Sequence, residues 1–120
     1  MRKHKEDRSY LWDMLEASRS ACSFVKDKSI HQFLSDKLLR SAVERQLEII
    51  GEAAIHLSVE LKQNHPHIPW KVIIGQRHVL AHDYDEIKYE RLWSVCQKDI
   101  PALIEQLEPL FPQQPEESKE

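Results

Sequence analysis

Apolar residues recur every three or four positions along most of the chain, which is the spacing of a helix that buries one face. The first such pattern predicts a helix that begins near Asp7 or Ser9 and ends around Lys28. Ser29 is a candidate N-cap for a second pattern, which predicts one long helix through residues 30–63. Gly51 lies in the middle of that helix. Since glycine is unfavourable there, it predicts the close approach of another backbone.

Two prolines, Pro66 and Pro69, interrupt this periodicity, because each disfavours a helical conformation in the residue before it. A third helix is predicted to begin at Pro69 or Trp70 and to stop near "HDYD". A last helical stretch covers residues 86–110, with a kink or restart at Pro101. There is no Asn-Gly or Asp-Gly hairpin signal, so we predict an all-α fold, an antiparallel four-helix bundle with a short connector helix.

The composition is that of one soluble domain, with 120 residues, 41% hydrophobic and 31% charged. We place this domain at residues 1–111 and predict a disordered tail at 112–120, which has no large apolar residue to bury. No stretch approaches a membrane span or a signal peptide, so a cytoplasmic location without membrane contact is expected. Cys22 and Cys96 lie within helical apolar patterns and are interpreted as reduced core thiols.

Ionisable residues are concentrated in "GQRHVLAHDYDE", residues 75–86, near the predicted end of the third helix. Arg77 and His82 are five residues apart, so in a rigid helix they point about 140° away from each other. They could cooperate if the arginine curled round, if the helix ended before His82, or if a second copy approached across a symmetric interface. The net charge of -3 means that any nucleic-acid binding must depend on a local patch such as this one.

Proton transfer and phosphate binding are the chemistry that such a cluster supports. Histidine titrates near neutrality, while arginine stays charged and can hold a phosphate with a planar fork of donors. In RNA the ribose 2′-hydroxyl can attack the adjacent phosphate, so cleavage needs proton transfer and charge stabilisation but no metal. The structural alternative is that Arg77 pairs with an acid, His82 caps the helix and Tyr84 packs its ring on the core.

A metal site is a further alternative, because His78 and His82 are four residues apart and could share a helix face. However, the metalloprotease glutamate is replaced by Val79, and no third ligand is evident, so no metal is assigned. His65 and His67, in the proline loop, are interpreted as exposed polar residues.

The motif "RHVLAH", Arg77 to His82, resembles the hallmark of the higher-eukaryote and prokaryote nucleotide-binding (HEPN) superfamily, an arginine followed by a histidine after a short spacer. With Tyr84 in "RHVLAHDY", it is most similar to the HepT-like toxins. The segments "AVERQLEIIGEAA", "HPHIPWKVIIGQR" and "LWSVCQKDIPALIEQL" also look like that family, so the resemblance spans roughly residues 8 to 108.

This resemblance implies a homodimer whose two motifs line one cleft and a metal-independent ribonuclease toxin without a cofactor of its own. It also implies a partner, a nucleotidyltransferase antitoxin of the MntA type, which uses ATP to transfer AMP onto the motif tyrosine. Carried onto this chain, Arg77 and His82 become the cleavage pair and Tyr84 the AMP acceptor. Some relatives are accessory subunits that help a nucleotidyltransferase bind its substrate, and a purely structural dimer is the third alternative.

Two positions depart from the pattern of many relatives, which have asparagine after the arginine and glycine after the histidine. This chain has His78 and Asp83 there. His78 could be an auxiliary phosphate contact or point to solvent, while Asp83 adds negative charge beside the supposed RNA site. Glu52 could reach the cleft, orient Arg77 or form a salt bridge on its own helix face.

Overall fold

The computed structural model describes residues 2–82 and 87–111, with side chains from Glu6 onwards, and every regular element within these ranges is helical. The prediction of an all-α fold is therefore confirmed. The elements are α1 (Arg2–Val25), α2 (Ile30–Ser35), α3 (Lys37–His56), α4 (Val59–Asn64), α5 (Trp70–His82), α6 (Tyr89–Ser94), a π-helical turn (Val95–Asp99), α7 (Ile100–Leu107) and a 3-10 turn (Glu108–Leu110).

The first helix begins and ends earlier than the sequence pattern predicts. It begins at Arg2, because most of the charged residues before Asp7 are good helix formers even though none of them marks an apolar face. It ends at Val25, and Asp27 then adopts a left-handed conformation with φ 61°. The apolar pattern therefore located the buried face of α1 but not its ends.

The single helix predicted for residues 30–63 is wrong, because this segment forms α2, α3 and α4. Ser29 does cap α2, accepting a hydrogen bond from the backbone of Gln32, whose side chain accepts in return from the Ser29 N–H. Asp36 caps α3 through the backbone of Leu39, and Ser58 caps α4. Each added cap satisfies N–H groups that a new helix start leaves without partners, so two short breaks replace one continuous helix.

The core forms where α3 packs against α1 on one side and against α5 on the other, while α7 packs against α1. Fully buried side chains include Met14 and Leu15 from α1, Phe33 from α2, Val43 from α3 and Leu107 from α7. The close approach predicted at Gly51 is confirmed, because a Cβ added there would clash with the side chain of Arg77 on α5. The backbones of α3 and α5 are thus in close contact at this point.

The predicted kink at Pro101 takes the form of a π-helical turn. The Ile100 N–H donates to the carbonyl of Val95, which is the wider spacing of a π-helix. The ring of Pro101 would clash with the carbonyl four residues earlier in a regular α-helix, and the widened turn relieves that clash. The chain therefore continues from α6 into α7 without a break.

Both cysteines are free thiols, as predicted, with Cys96 buried and Cys22 half-buried. Burial raises the pKa of both, that of Cys96 to about 12 with a further contribution from nearby Cys22. No helix in the described ranges is long and apolar enough to cross a membrane. The predicted tail, residues 112–120, lies outside the described residues.

Candidate functional site

Helix α5 carries the candidate site, and its first residue fixes the start of the helix. Trp70 is buried, and its indole Nε1 donates to the carbonyl of His65 at 2.9 Å. Ile68 beside it is also buried, and its carbonyl accepts a bond from the Trp70 N–H at 2.8 Å. The start and end predicted for this helix, Pro69 or Trp70 and "HDYD", agree with the observed Trp70–His82.

Arg77 lies where α5 presses on α3. An ideal Cβ built on Gly51 would lie 2.8 Å from the Arg77 Cγ and closer still to its Cβ, and 3.1 Å from the carbonyl oxygen of Ile73. Only a glycine at position 51 lets the stem of Arg77 lie in this position. The arginine side chain is therefore held at its base by α3 while its guanidinium lies beyond the contact.

The guanidinium of Arg77 forms no ion pair within the part of the chain that the structure describes. The ion pairs found there join Arg19 to Glu16 and Glu108, and Arg45 to Glu48. The buried Nε of Arg77 also lacks a hydrogen-bond partner among these residues. Glu52 is exposed on α3 and makes no ion pair with a described residue, so neither a salt bridge to Arg77 nor one along its own helix is present. Arg77 thus retains donors with which it could bind an anion.

His82 is exposed and is the last residue of α5. The helix includes both Arg77 and His82, so the alternative in which it ends before the histidine is wrong. The two residues diverge by about 140° around the axis. A single phosphate can then meet both groups only if the long arginine side chain reaches round α5 or if a second copy supplies one of them.

His78 lies one turn before His82 on the same side of the helix. It is exposed, and the centroids of the two imidazole rings are 4.9 Å apart. In the described ranges no group of three histidine, cysteine or acidic side chains is placed to hold a metal ion. The two histidines thus place a pair of exposed imidazole rings near the end of α5.

Tyr84 and Asp83, the other two candidate residues, lie in the segment 83–86, outside the described residues. Their predicted roles remain predictions. The described chain resumes at Ile87, and α6 begins two residues later.

A cluster that the sequence pattern did not predict lies at the first residue of α6, Tyr89. The guanidinium of Arg40 lies over the ring of Tyr89 at 4.8 Å, and its Nη1 also donates to the carbonyl of Leu34 in α2. The nearby Glu44 carboxylate raises the pKa of Tyr89, burial raises it further, and Arg40 opposes both. Tyr89 was a signal available in the sequence, seven residues after His82, but its partners on α3 become apparent only in the folded chain. These partners attach α6 to α3, the helix whose Gly51 also contacts the base of the Arg77 side chain.

A groove of about 810 Å³ separates α5 from α6, the π-helical turn and α7. Its walls are largely apolar, including Val72, Val79 and Leu103, and Lys88, Arg91 and Asp99 also line it. The sequence did not predict this groove. The apolar residues of α5 predicted a helix, but Val72 among them is 68% exposed.

Comparison with known proteins agrees with the resemblance seen in the motif. The family model described as "Ribonuclease HepT-like" matches residues 14–110. A Thermococcus cleftensis protein named a probable ribonuclease HepT is 38% identical over 109 residues, which are 91% of this chain and 96% of that protein.

Two further relatives cover similar shares of both chains. One, from Methanocaldococcus jannaschii and named as a suspected RNase, is 35% identical over 104 residues, 87% of this chain and 95% of the relative. Another with the same kind of name, from Caldanaerobacter subterraneus, is 36% identical over 107 residues, 89% and 96% of the two chains. No solved structure was found to match. The family match covers most of the described helices, and the chain belongs to the HepT-like ribonuclease family.

Proposed function

We propose that this protein is an endoribonuclease that cleaves RNA without a metal, with Arg77 and His82 as the catalytic residues. The observation that carries the proposal is the state of these two residues. Arg77 is held at its base by Gly51, and its guanidinium has no carboxylate partner among the described residues, while His82 is exposed on the same helix. The names of the relatives, which refer to RNase activity, support the same substrate class.

Cleavage follows from the chemistry of RNA itself. A neutral imidazole at His82 accepts the proton of the 2′-hydroxyl, and the 2′-oxygen forms a bond to phosphorus while the bond from phosphorus to the 5′-oxygen breaks. The leaving oxygen takes a proton from a second, protonated imidazole, and the products are a 2′,3′-cyclic phosphate and a free 5′-hydroxyl. His78, with its ring 4.9 Å from that of His82, is an auxiliary candidate for the second imidazole. Arg77 stabilises the negative charge that develops on the phosphate.

The family resemblance supports the finer parts of the proposal. In these, the chain is a four-helix bundle that dimerises, and it is the toxin of a toxin-antitoxin pair. A nucleotidyltransferase antitoxin of the MntA type silences it by transferring AMP from ATP onto Tyr84. The bond that forms joins the Tyr84 oxygen to the α-phosphorus of ATP, and pyrophosphate leaves. The added phosphate would bring negative charge close to the motif and so oppose the binding of RNA.

The test is RNA cleavage by the purified full chain in the presence of a chelator. Arg77→Ala and His82→Ala should each lower the rate by about 100-fold or more, since each removes a proton-transfer or charge-stabilising group. Lys71→Ala, at an exposed position on the same helix, is the control and should retain the activity. The proposal is wrong if the wild-type chain leaves RNA intact, and that result would favour the accessory-subunit alternative.

The silencing step has its own test. Incubation with the nucleotidyltransferase and ATP should add AMP to a peptide that contains Tyr84, as mass spectrometry would show, and should abolish cleavage. A Tyr84→Phe chain should cleave RNA and resist silencing. Modification and silencing of that variant would rule out Tyr84 as the acceptor while leaving the nuclease assignment intact.

A further inference from the structure

Cys22 and Cys96 are the two cysteines of the chain, and the proposed nuclease uses neither. Cys22 is half-buried in α1, and Cys96 is buried in the π-helical turn. Both line one cavity of about 460 Å³, which lies between the C-terminal part of α1 and the π-helical turn with α7. Since α1 packs directly against the π-helical turn, the two thiols belong to one cavity and to two elements in contact.

Electrostatics also indicates that the two sulfur atoms are close together. Burial is the main reason that the pKa of Cys96 rises to about 12, and a thiolate at Cys22 raises it further. Such an effect weakens as the distance between the charges grows. Two thiolates in one cavity repel each other, whereas a cation between them would attract both.

We propose that Cys22 and Cys96 bind one Cu(I) ion in this cavity, the thiol cavity, as its two sulfur ligands. Sulfur ligands select soft metal ions, and Cu(I) is a soft ion that is stable with two ligands in a line. Zinc takes at least three protein ligands, and in the described ranges no group of three histidine, cysteine or acidic side chains is placed to provide them. The number and kind of ligands therefore favour Cu(I) over zinc.

The charges around the thiol cavity suit this complex. Cu(I) with two thiolates carries one net negative charge, which is costly to bury unless positive groups lie nearby. Lys26 and Lys28 line the cavity, are exposed and form no ion pair with a described residue. Arg19 and Asp27 line it as well, so cations outnumber anions there by three to one.

A disulfide is the other product that two neighbouring thiols can form. Only a thiolate attacks in that reaction, and burial raises the pKa of both thiols, so the reactive form is scarce near neutral pH. A metal ion instead displaces the protons as it binds. One Cu(I) and two thiols give a complex of charge -1 and release two protons, with no oxidant required.

The thiol cavity is separate from the candidate site. Its described lining residues come from α1, the turn after α1, the π-helical turn and α7, and none comes from α5. The inference therefore stands apart from the proposed nuclease. A bound ion would link α1 to the π-helical turn and should stabilise the folded chain.

The test is competition for Cu(I) between the reduced full-length chain and the chelator bathocuproine disulfonate, without oxygen. We expect one Cu(I) to bind to each chain. Cys22→Ser and Cys96→Ala should each raise the dissociation constant about 100-fold or more, because each leaves a single sulfur ligand. Ser23→Ala, which changes another residue of the cavity wall, is the matched control and should bind like the wild type.

Two further measurements identify the ligands and the effect on the fold. X-ray absorption of the one-to-one complex should show two sulfur ligands and no nitrogen, which distinguishes this site from a pair of histidines. One equivalent of Cu(I) should raise the Tm of the wild type by about 4 °C or more and leave that of Cys22→Ser unchanged. Because Cys22 is half-buried, this variant tests the site even if Cys96→Ala is unstable.

The contrary outcomes are equally distinct. Nitrogen ligands, or wild-type affinity in either cysteine variant, would overturn the inference. So would one Cu(I) for every two chains, since the ion would then lie between the Cys22 side chains of two molecules. A wild-type chain that takes no Cu(I) from the chelator would overturn it as well. None of these results bears on RNA cleavage, which Arg77→Ala and His82→Ala test separately.

Discussion

Gly51 and Gly75 both lie inside helices, but a side chain added at these two positions would meet different surroundings. At Gly51 even a methyl group would collide with Arg77. We expect Gly51→Ala to lower the free energy of unfolding by about 1–3 kcal/mol, the usual cost of overpacking a tight contact. Urea unfolding measures this, with Ser41→Ala on the same helix as a control that should stay within about 0.5 kcal/mol of the wild type.

The substitution at Gly51 should also impair RNA cleavage, because α5 must move away from α3 and the stem of Arg77 moves with it. A Gly51→Ala chain as stable as the wild type would contradict the tight contact between Gly51 and Arg77. A chain that is destabilised but cleaves RNA at the full rate would show that the position of Arg77 on α3 is unimportant for activity.

Cys96 gives a prediction about pH. Burial raises the pKa of its thiol from 9.0 to about 12, and Cys22 adds to the shift. The folded chain therefore favours the protonated thiol, whereas the unfolded chain releases the proton near the ordinary pKa. The contribution of Cys96 to stability is fully present below pH 9 and is lost as the pH rises from about 9 towards 12.

Urea unfolding of the wild type and Cys96→Ala at several pH values tests this. The variant should be less stable near neutrality, because it leaves a cavity, yet its free energy of unfolding should fall less between about pH 9 and pH 11. Lysines and tyrosines titrate in both proteins, so only the difference between the two curves is informative. Parallel curves would show that Cys96 ionises equally easily in both states.

At the scale of the elements, Asp7 links helices that are distant in sequence. Its carboxylate accepts one bond from the Ser58 N–H at 2.9 Å and another from the Ser58 hydroxyl at 2.7 Å, and that hydroxyl caps α4. Asp7→Ala should lower the free energy of unfolding by about 1–3 kcal/mol, since the half-buried donors of Ser58 lose a charged acceptor. Glu6→Ala, at the exposed neighbouring position, is the control for the charge and should have little effect in urea unfolding. Equal effects of the two substitutions would contradict a specific role for Asp7.

Asp7 also shows why helix ends were harder to predict than helices. In the sequence it suggested a start for α1, whereas in the fold it lies inside α1 and caps the beginning of α4 through Ser58, 51 residues away. Such a partner is not apparent from local pattern. The cap at Asp36 was a local signal, but the apolar periodicity continued across it and concealed the break between α2 and α3.

The candidate site was predictable only in part, for a related reason. Arg77 and His82 follow from residue chemistry and spacing, and the bounds of α5 follow from Pro69 and the polar residues after His82. The contact of Arg77 with Gly51 required knowing which face of α5 meets α3. The exposed surroundings of Gly75 required the same knowledge, because in the sequence the two glycines differ in nothing that marks one as buried.

For the whole molecule, the divergence of Arg77 and His82 around α5 leads to a prediction about two copies. If each cleavage site takes its arginine from one copy and its histidine from the other, Arg77→Ala and His82→Ala chains are each inactive alone. In a dimer of one with the other, one of the two sites is intact. Random exchange makes half of the dimers mixed, so the mixture should regain about a quarter of the wild-type activity.

The measurement is RNA cleavage after the two variants have been mixed and allowed to exchange subunits, with each variant alone as the control. The double variant Arg77→Ala/His82→Ala, mixed with wild type, controls for exchange itself, since its mixed dimers should contain no intact shared site. In an equal mixture only a quarter of the dimers are wild type. The activity should therefore be about a quarter of that of wild type alone at the same total chain concentration. If exchange is demonstrated and the two single variants stay inactive together, the arginine and histidine must act from one chain, with the Arg77 side chain reaching round α5.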